Sequence, residues 1–277
     1  MADHFLAGGY RRFAFYGDLA GIWVTRRREG FIGQVEAAGY RVQVTPLRGV
    51  AKDARALAQW LQQQEFPLAV MVVHDYAATA IVEACRAIGR RVPEDVAVVG
   101  VNNDDRVCEV ISPPLSSVPL NLYRIGYEAA ALLDQIIRKQ EPAAWSILVP
   151  PGELIVRGSS GGIASADPQV RAAVQLIRDG LAEGITTKQV VARTGLTRQT
   201  LNHRFTQALG RSVAAELRRV RIERARQLLS GSDVPMPEVA RQAGFSSARQ
   251  LSETFHHEAG LTPTAYRQRI RPRGQPG

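Results

Sequence analysis

The stretches TTKQVVARTGLTRQTLNHRFTQAL, Thr186 to Leu209, and PEVARQAGFSSARQLSETFHH, Pro237 to His257, decide the architecture. In the first, Thr186 to Thr194 and Thr197 to Leu209 carry helical spacing on either side of Gly195, and glycine suits a tight turn because it takes positive φ without a Cβ clash. Val190, Val191, Leu196, Leu201 and Phe205 supply the side that packs inward. Thr197 is placed to cap the second helix, which leaves Arg198, Gln199, Asn202 and His203 on or near its first exposed turns. Those side chains are of the types that reach phosphates and base edges. One such helix pair is weak ground, because many helical hairpins bind nothing. The second stretch repeats the pattern about fifty residues on, with Gly244 at the turn and Val239, Ala240, Phe245, Leu251 and Phe255 inward. Two copies are far harder to obtain by accident.

Between the copies, Ser212 to Leu229 reads as one long helix. Val213, Leu217 and Val220 follow i, i+4, i+7, while Arg218, Arg219, Arg221, Arg224 and Arg226 occupy its other faces. Such a helix would hold the two units at a fixed separation, as contacts in adjacent major grooves about 34 Å apart demand. The charge agrees. Residues 1–160 hold 17 Lys+Arg and 17 Asp+Glu, whereas residues 161–277 hold 18 and 9, so the whole formal charge of +9 lies after position 160. An excess confined to one segment implies a basic surface for a polyanion.

Toward the N-terminus, GSSGGIASADP, Gly158 to Pro168, has no apolar periodicity and reads as a linker. Asp167 is expected to cap a helix that carries Pro168 in its first turn and runs to Leu181. Before the linker the period changes. The β-type runs FAFYG, YRVQVT, LAVMVV and VAVVGV alternate with helical runs at Ile22 to Ala38, Ala51 to Glu65 and Ala77 to Ile88. LAVMVV and VAVVGV are unbroken rather than alternating, as strands covered on both faces should be, so a parallel sheet is expected. The expected fold is thus an α/β parallel-sheet unit over 1–157, a linker over 158–167 and an all-α unit with two helix-turn-helix motifs over 168–272.

At Ser232 to Ile270 the chain resembles the C-terminal signature of the AraC family. Ala240, Gly244, Phe245, Phe255, Gly260, Pro263, Tyr266 and Arg267 carry the likeness. The family implies a monomeric module with two recognition helices, which binds double-stranded promoter DNA and usually activates through RNA polymerase. Carried over by position, Arg198, Gln199, Asn202 and His203 face DNA from the first unit and Arg249, Ser252 and Glu253 from the second. The second helix departs from a basic reader, since Ala248 and Glu253 offer no cation; reading of cytosine, DNA shape or weak binding all remain open.

The α/β half is similar to the C-terminal subdomain of LacI-type and periplasmic sugar-binding folds. GYRRFAFYG at Gly9 to Gly17, RREGF at Arg27 to Phe31, VPEDVAVVGV at Val92 to Val101 and SPPLSSV at Ser112 to Val118 carry that likeness. Joined to an AraC-type tail, and with ILVPPGELIVR at Ile147 to Arg157 between them, it resembles the xylose-responsive activators. The resemblance implies a small-molecule sugar effector, D-xylose or a similar pentose, bound by Trp23, Arg27, Asp75 and Asn102. Asp75 and Asn102 lie just past the C-terminal ends of LAVMVV and VAVVGV, where open α/β sheets bind ligands; Asp75 can equally cap the helix after it, and Arg27 can simply be solvated. In that family a first lobe of comparable size comes before a strand like FAFYG. The expectation is therefore either a reading frame truncated at its start or half a sensor, with Leu122, Ile125, Leu132, Leu133 and Ile136 left as an apolar stripe open to self-association as a homodimer.

Other classes find little support. There is no GxGxxG after a strand, no GxxxxGK[ST] and no GxSxG, so an enzyme is not expected. No run approaches the ~18 apolar residues of a membrane span, and the first thirty residues lack an apolar core followed by a cleavage site, which points to a cytoplasmic protein without a membrane partner. Cys85 and Cys108 read as reduced structural thiols, and neither they nor the adjacent His256 and His257 fall at metal-ligand spacing, so neither cofactor nor metal is expected. The expected function is a sequence-specific regulator, an activator of a sugar operon. The alternative is a DNA-binding regulator whose α/β half senses nothing and serves as a scaffold or oligomerisation module.

Overall fold

Unbroken valine-rich runs need cover on both faces, and in the computed structural model the chain supplies it with helices. The structure describes residues 1–17, 21–45, 54–142, 144–165 and 167–270. Strands β1 (Phe13–Tyr16), β2 (Val42–Val44), β3 (Leu68–Val72), β4 (Val96–Asn102) and β5 (Ser116–Pro119) form one sheet in the order β2-β1-β3-β4-β5. Every pairing is parallel. β1 and β3 are buried along their whole length. Around the sheet run α1 (Ala2–Ala7), α2 (Ile22–Ala37), α3 (Ala54–Gln62), α4 (Asp75–Ala87) and α5 (Asp105–Cys108). The expected start of α3, residues 51–53, lies outside the described residues.

Three features differ from the sequence reading. α4 begins two residues earlier than expected, because His74 caps it: its Nδ1 accepts the Ala77 N–H at 3.2 Å. β5 is a strand that the sequence pattern does not announce. It is poor in β-formers but is held by β4 on one side, and Ser117 pairs with Ile155 through an isolated antiparallel bridge on the other. The stretch expected as a linker is packed rather than loose. Ser159 and Ser160 are buried, the Ser159 hydroxyl donates to Val98 O at 2.6 Å, and the Ser116 N–H donates to that hydroxyl at 2.9 Å. Residue 166 of that stretch lies outside the described residues.

Helix α6 (Leu122–Ile137) buries none of its side chains. Leu122, Ile125, Leu133 and Ile136 of the anticipated stripe are exposed, as are Tyr123, Tyr127 and Ile137. No membrane-crossing helix, long and apolar enough, occurs among the described residues.

The second half is helical: α7 (Pro168–Asp179), α8 (Thr187–Thr194), α9 (Arg198–Leu209), α10 (Val213–Gly231), α11 (Met236–Gln242), α12 (Ala248–Ala259) and α13 (Pro263–Ile270). Asp167 caps α7, accepting the Gln169 N–H at 2.8 Å. Two apolar clusters form, one per helix pair, and α10 feeds both. Val213, Leu217 and Val220 enter the first, with Leu201 and Phe205; Ile222, Ala225, Leu228 and Leu229 enter the second, with Leu251 and Phe255. Each large side chain so buried contributes roughly 1.5–3 kcal/mol.

The halves are fastened at several points. Arg211 Nη2 donates to Ala7 O at 2.6 Å, the Ala164 N–H to Gly8 O at 2.8 Å and Gln227 Nε2 to Leu154 O at 3.2 Å. The Tyr266 hydroxyl bonds the Glu153 carboxylate. His4 Nδ1 stands 3.3 Å from Glu223 Oε1, and its Nε2 lies 3.0 Å from both oxygens of Ser160.

Candidate nucleic-acid interface and effector site

The first helix-turn-helix unit is built by local rules. Thr186 and Gln189 form a capping box at the start of α8, Gly195 takes the left-handed turn at φ 68°, and Thr197 caps α9 by accepting the Thr200 N–H at 3.2 Å. Arg198, Gln199 and His203 are exposed on α9. Lys188 and Arg193 on α8 are exposed too, and Lys188, Arg193 and Arg198 make no ion pair among the described residues. Asn202 behaves differently. It is half-buried, and its Oδ1 accepts the Val213 N–H at 3.1 Å, which ties α9 to the start of α10 and takes that oxygen away from base reading.

The second unit has the same frame. Ser247 caps α12, and Gly244 makes the turn at φ 78°, where a Cβ would stand 2.5 Å from Leu181 O. The outward faces differ in charge. Residues 187–209 carry four Lys+Arg and no Asp or Glu, whereas residues 236–259 carry two arginines and three glutamates. Both arginines are already paired: Arg249 Nε meets Glu253 Oε1 at 2.8 Å, and Arg241 meets Glu238 at 2.6 Å. Arg249 and Glu253 are exposed and Ser252 is half-buried.

Helix α10 spans 19 residues, about 28 Å at 1.5 Å per residue, and its two ends enter the apolar clusters of the two units. Its arginines are mostly engaged. Arg219 grips buried Glu216 at 2.9 and 3.0 Å and Glu223 at 3.2 Å, so it braces the helix bundle instead of lying free along the DNA side. Burial alone would raise the Glu216 carboxyl, and Arg219 with Arg211 outweighs that and holds it below its usual range. Arg221 donates to Ile185 O at 2.9 Å and lies over the Phe245 ring at 5.7 Å, joining the two units.

The second candidate site lies at the C-terminal ends of the strands. Trp23 and Arg27 come together on α2: the Arg27 guanidinium sits 4.8 Å from the Trp23 ring centre, and its Nη1 donates to Val73 O at 2.7 Å, just past β3. Burial lowers the Arg27 pKa. Trp23 keeps 42% of its surface exposed, with the Arg27 guanidinium over its ring. Asn102 ends β4, one strand over, exposed and at φ 115°; Asn103 follows at φ 54° with a buried Oδ1 that has no partner. Two consecutive non-glycine residues at positive φ mark strain, a feature that collects at ligand sites.

Asp75 does not fit the expected part. It is fully buried, and its oxygens accept the Ser117 hydroxyl at 2.6 Å and the Asp104 N–H at 2.8 Å. Desolvation raises its pKa against those bonds. It neither caps α4 nor opens to solvent; it ties β3 to the loop after β4 and to β5. Cys108 lies beside it, and burial pushes the thiols of Cys85 and Cys108 up to about 12.

Comparison with known proteins bears on both sites. Residues 2–160 match the profile of a periplasmic binding protein-like domain, and residues 190–269 match that of a helix-turn-helix domain. The chain is 31% identical over 272 residues to the xylose operon regulatory protein of Escherichia coli (strain K12), which covers 95% of this chain and 69% of that protein. The chain belongs to the AraC family of transcription regulators, in the group of the xylose operon regulatory proteins. A second relative, from Haemophilus influenzae, is 27% identical and covers 96% of this chain and 70% of its own. The structure of the xylose-binding transcription activator xylR superposes with a TM-score of 0.55 at 31% identity, over 96% of this chain and 72% of that one. This AraC-family member is therefore a DNA-binding regulator with a sensor-type α/β half, and not an enzyme.

For the AraC-family chain, sequence reasoning missed the free cations Lys188 and Arg193, although the contrast between an acid-free first unit and a net-acidic second one was countable. It also missed Ser117 and Asp104 as partners of Asp75.

Proposed function

We propose that this AraC-family regulator is a cytoplasmic activator of a sugar catabolic operon, with D-xylose or a similar pentose as effector. The observation that carries the reading is the pair of helix-turn-helix units held together by α10, which packs into the core of each, joined to an α/β half that presents an exposed indole beside a guanidinium near the strand ends. An indole face suits the apolar side of a pyranose, and Arg27 with Asn102 supplies paired hydrogen bonds to its hydroxyls. The names of the relatives, which refer to the xylose operon, favour a pentose over other sugars.

The division that goes with this function is an effector half, 1–157, a connector, 158–167, and a DNA-binding half, 168–272, of which 271–272 lie outside the described residues. Arg198, Gln199 and His203 read the promoter from the first unit, and Arg249, Ser252 and Glu253 meet it from the second, with RNA polymerase as the partner in activation. The exposed apolar face of α6 supports a homodimer.

The test is calorimetry with xylose, arabinose, ribose and glucose on the full chain, followed by operator binding with and without the sugar that binds. Trp23→Ala should abolish the heat of binding and leave DNA affinity intact. Failure of every sugar to bind would favour a non-sensing scaffold.

A further inference from the structure

Opposite the strand ends discussed above lies a cavity of about 570 Å³, walled on one side by the segments that lead into β4 and β5 and on the other by α7. Pro93 and Pro113 precede those strands, so this space opens at the N-terminal edge of the sheet, away from Trp23, Arg27 and Asn102. It joins the sensor-type half to the first helix of the DNA-binding half.

Its chemistry is one-sided. Arg157, Arg171 and Arg178 line it against the single exposed carboxylate of Glu94. Arg157 spends Nη1 on Leu115 O at 2.8 Å and has its nearest acid, Asp105, only at 4.0 Å; Arg171 spends Nη1 on Ser165 O at 2.6 Å. A guanidinium has five N–H donors, so most of theirs are left. Arg178 spends none: its side chain makes no hydrogen bond or ion pair among the described residues, and its Nε is buried without a partner. Glu223 and Glu216 act on it only through space, and burial lowers its pKa. A buried donor left unpaired is costly, which makes an unpaired guanidinium on a cavity wall a place for a ligand acceptor.

Size and lining narrow the ligand. The volume falls in the range of small-molecule pockets, roughly 300–1,000 Å³, and exceeds what a lone inorganic ion needs. Ile163 and Val174 give it apolar wall. At Gly162 a Cβ would approach the Pro93 ring to 3.0 Å, so that wall stays bare backbone. A carbon skeleton bearing an oxyanion fits these surfaces, and guanidinium forks are matched to phosphate and carboxylate oxygens.

We propose that this cavity is a second effector site, which takes a small organic anion carrying a phosphate or carboxylate group and bridges Arg157 of the sensor-type half to Arg171 and Arg178 of α7. An anion held from both sides binds only the docked arrangement of the halves and shifts the population toward it. Because linkage is reciprocal, any factor by which the anion changes DNA affinity is the factor by which DNA changes the anion's.

The experiment uses the full chain at constant ionic strength in a zwitterionic buffer. Inorganic phosphate, citrate and glucose 6-phosphate are titrated by calorimetry and melting, with glucose as the neutral control. The expected result is saturable binding of citrate or glucose 6-phosphate, tighter than that of phosphate, with a rise in Tm and no response to glucose; which of the two wins separates carboxylate from phosphate. Arg178→Met and Arg171→Gln should each weaken that binding at least tenfold. Arg171 is half-exposed, so Arg171→Gln decides the matter if Arg178→Met does not fold. The proposal is overturned by absence of saturable binding of any of the three anions, or by binding that Arg171→Gln leaves unchanged. A loss of DNA affinity in Arg171→Gln with no anion present also overturns it, since the groove would then serve DNA phosphate.

Discussion

Glu253 is the residue whose removal separates two readings of the second recognition helix. In the free protein its carboxylate holds Arg249 at 2.8 Å, and both side chains are exposed. Such a surface pair contributes only about 0–1 kcal/mol, so the helix loses little when it is broken. Glu253→Gln removes one negative charge from a unit that holds two arginines against three glutamates, and it frees Arg249 for a phosphate. One added phosphate contact steepens the dependence of log K on log salt by about 0.9, which amounts to an affinity change about 3.5-fold larger between 50 and 200 mM salt. Fluorescence anisotropy on operator and on scrambled duplex, at four salt concentrations, measures it. The expected outcome is tighter binding to both duplexes at low salt with the steeper slope. Weaker binding to the operator alone, by the roughly 1–3 kcal/mol of a lost base contact, would refute the screening argument and make Glu253 a reader of cytosine.

Three further outcomes follow from the same geometry. Gly244→Ala places a Cβ 2.5 Å from Leu181 O at φ 78°, so a loss of roughly 1–3 kcal/mol in urea unfolding is expected, with DNA binding weakened through the second unit. Asp75→Ala leaves the Ser117 hydroxyl and the Asp104 N–H without their acceptor and should cost about 1–3 kcal/mol or more of stability, with no loss of DNA affinity at temperatures where the variant is folded. Glu223 is taken down to about 2: burial alone would raise it, and His4, Arg219 and Arg178 outweigh that. A carboxyl depressed in the folded state stabilises fully above its unfolded pKa, so the contribution of Glu223 should be intact above about pH 4.5 and fade as pH falls toward 2; acid unfolding of Glu223→Gln should lack that part of the slope.

What could be read from the sequence was whatever depends on near neighbours. LAVMVV and VAVVGV announce buried parallel strands by composition alone, and Asp167 and Thr197 sit where caps must sit. What could not be read depends on distant partners. Asp75 looks like an open binding residue at a strand end until Ser117, 42 positions on, and Asp104, 29 positions on, are seen to enclose it. Asn202 looks like a base reader until Val213 arrives across the turn to take its oxygen. β5 escaped because Ser116, Ser117 and Pro119 are weak strand formers, held in place by Ser159 and Ile155 from the far side of α6. Gly158 to Pro168 looked loose for the same reason: small polar residues read as linker, yet here their size lets them pack under β4 and β5.

The fastenings between the halves have a direction. Ala7 meets Arg211 just before α10, His4 meets Glu223 on α10, Leu154 meets Gln227 on α10, and Glu153 meets Tyr266 on α13. Among the described residues none of them lands on Arg198, Gln199, His203 or Arg249, and those four side chains are exposed. Masking of those helices is therefore not the means by which this arrangement regulates DNA binding. The helix that receives the contacts is the one whose two ends fill the two apolar clusters, with Leu217 and Val220 in one and Ile222 and Ala225 in the other. A rotation or bend of α10 imposed at Glu223 and Gln227, near its second half, changes the pose of the second unit relative to the first. Two readers on one duplex are sensitive to their relative pose in a way that a single reader is not, which gives the double unit its use in a regulated protein.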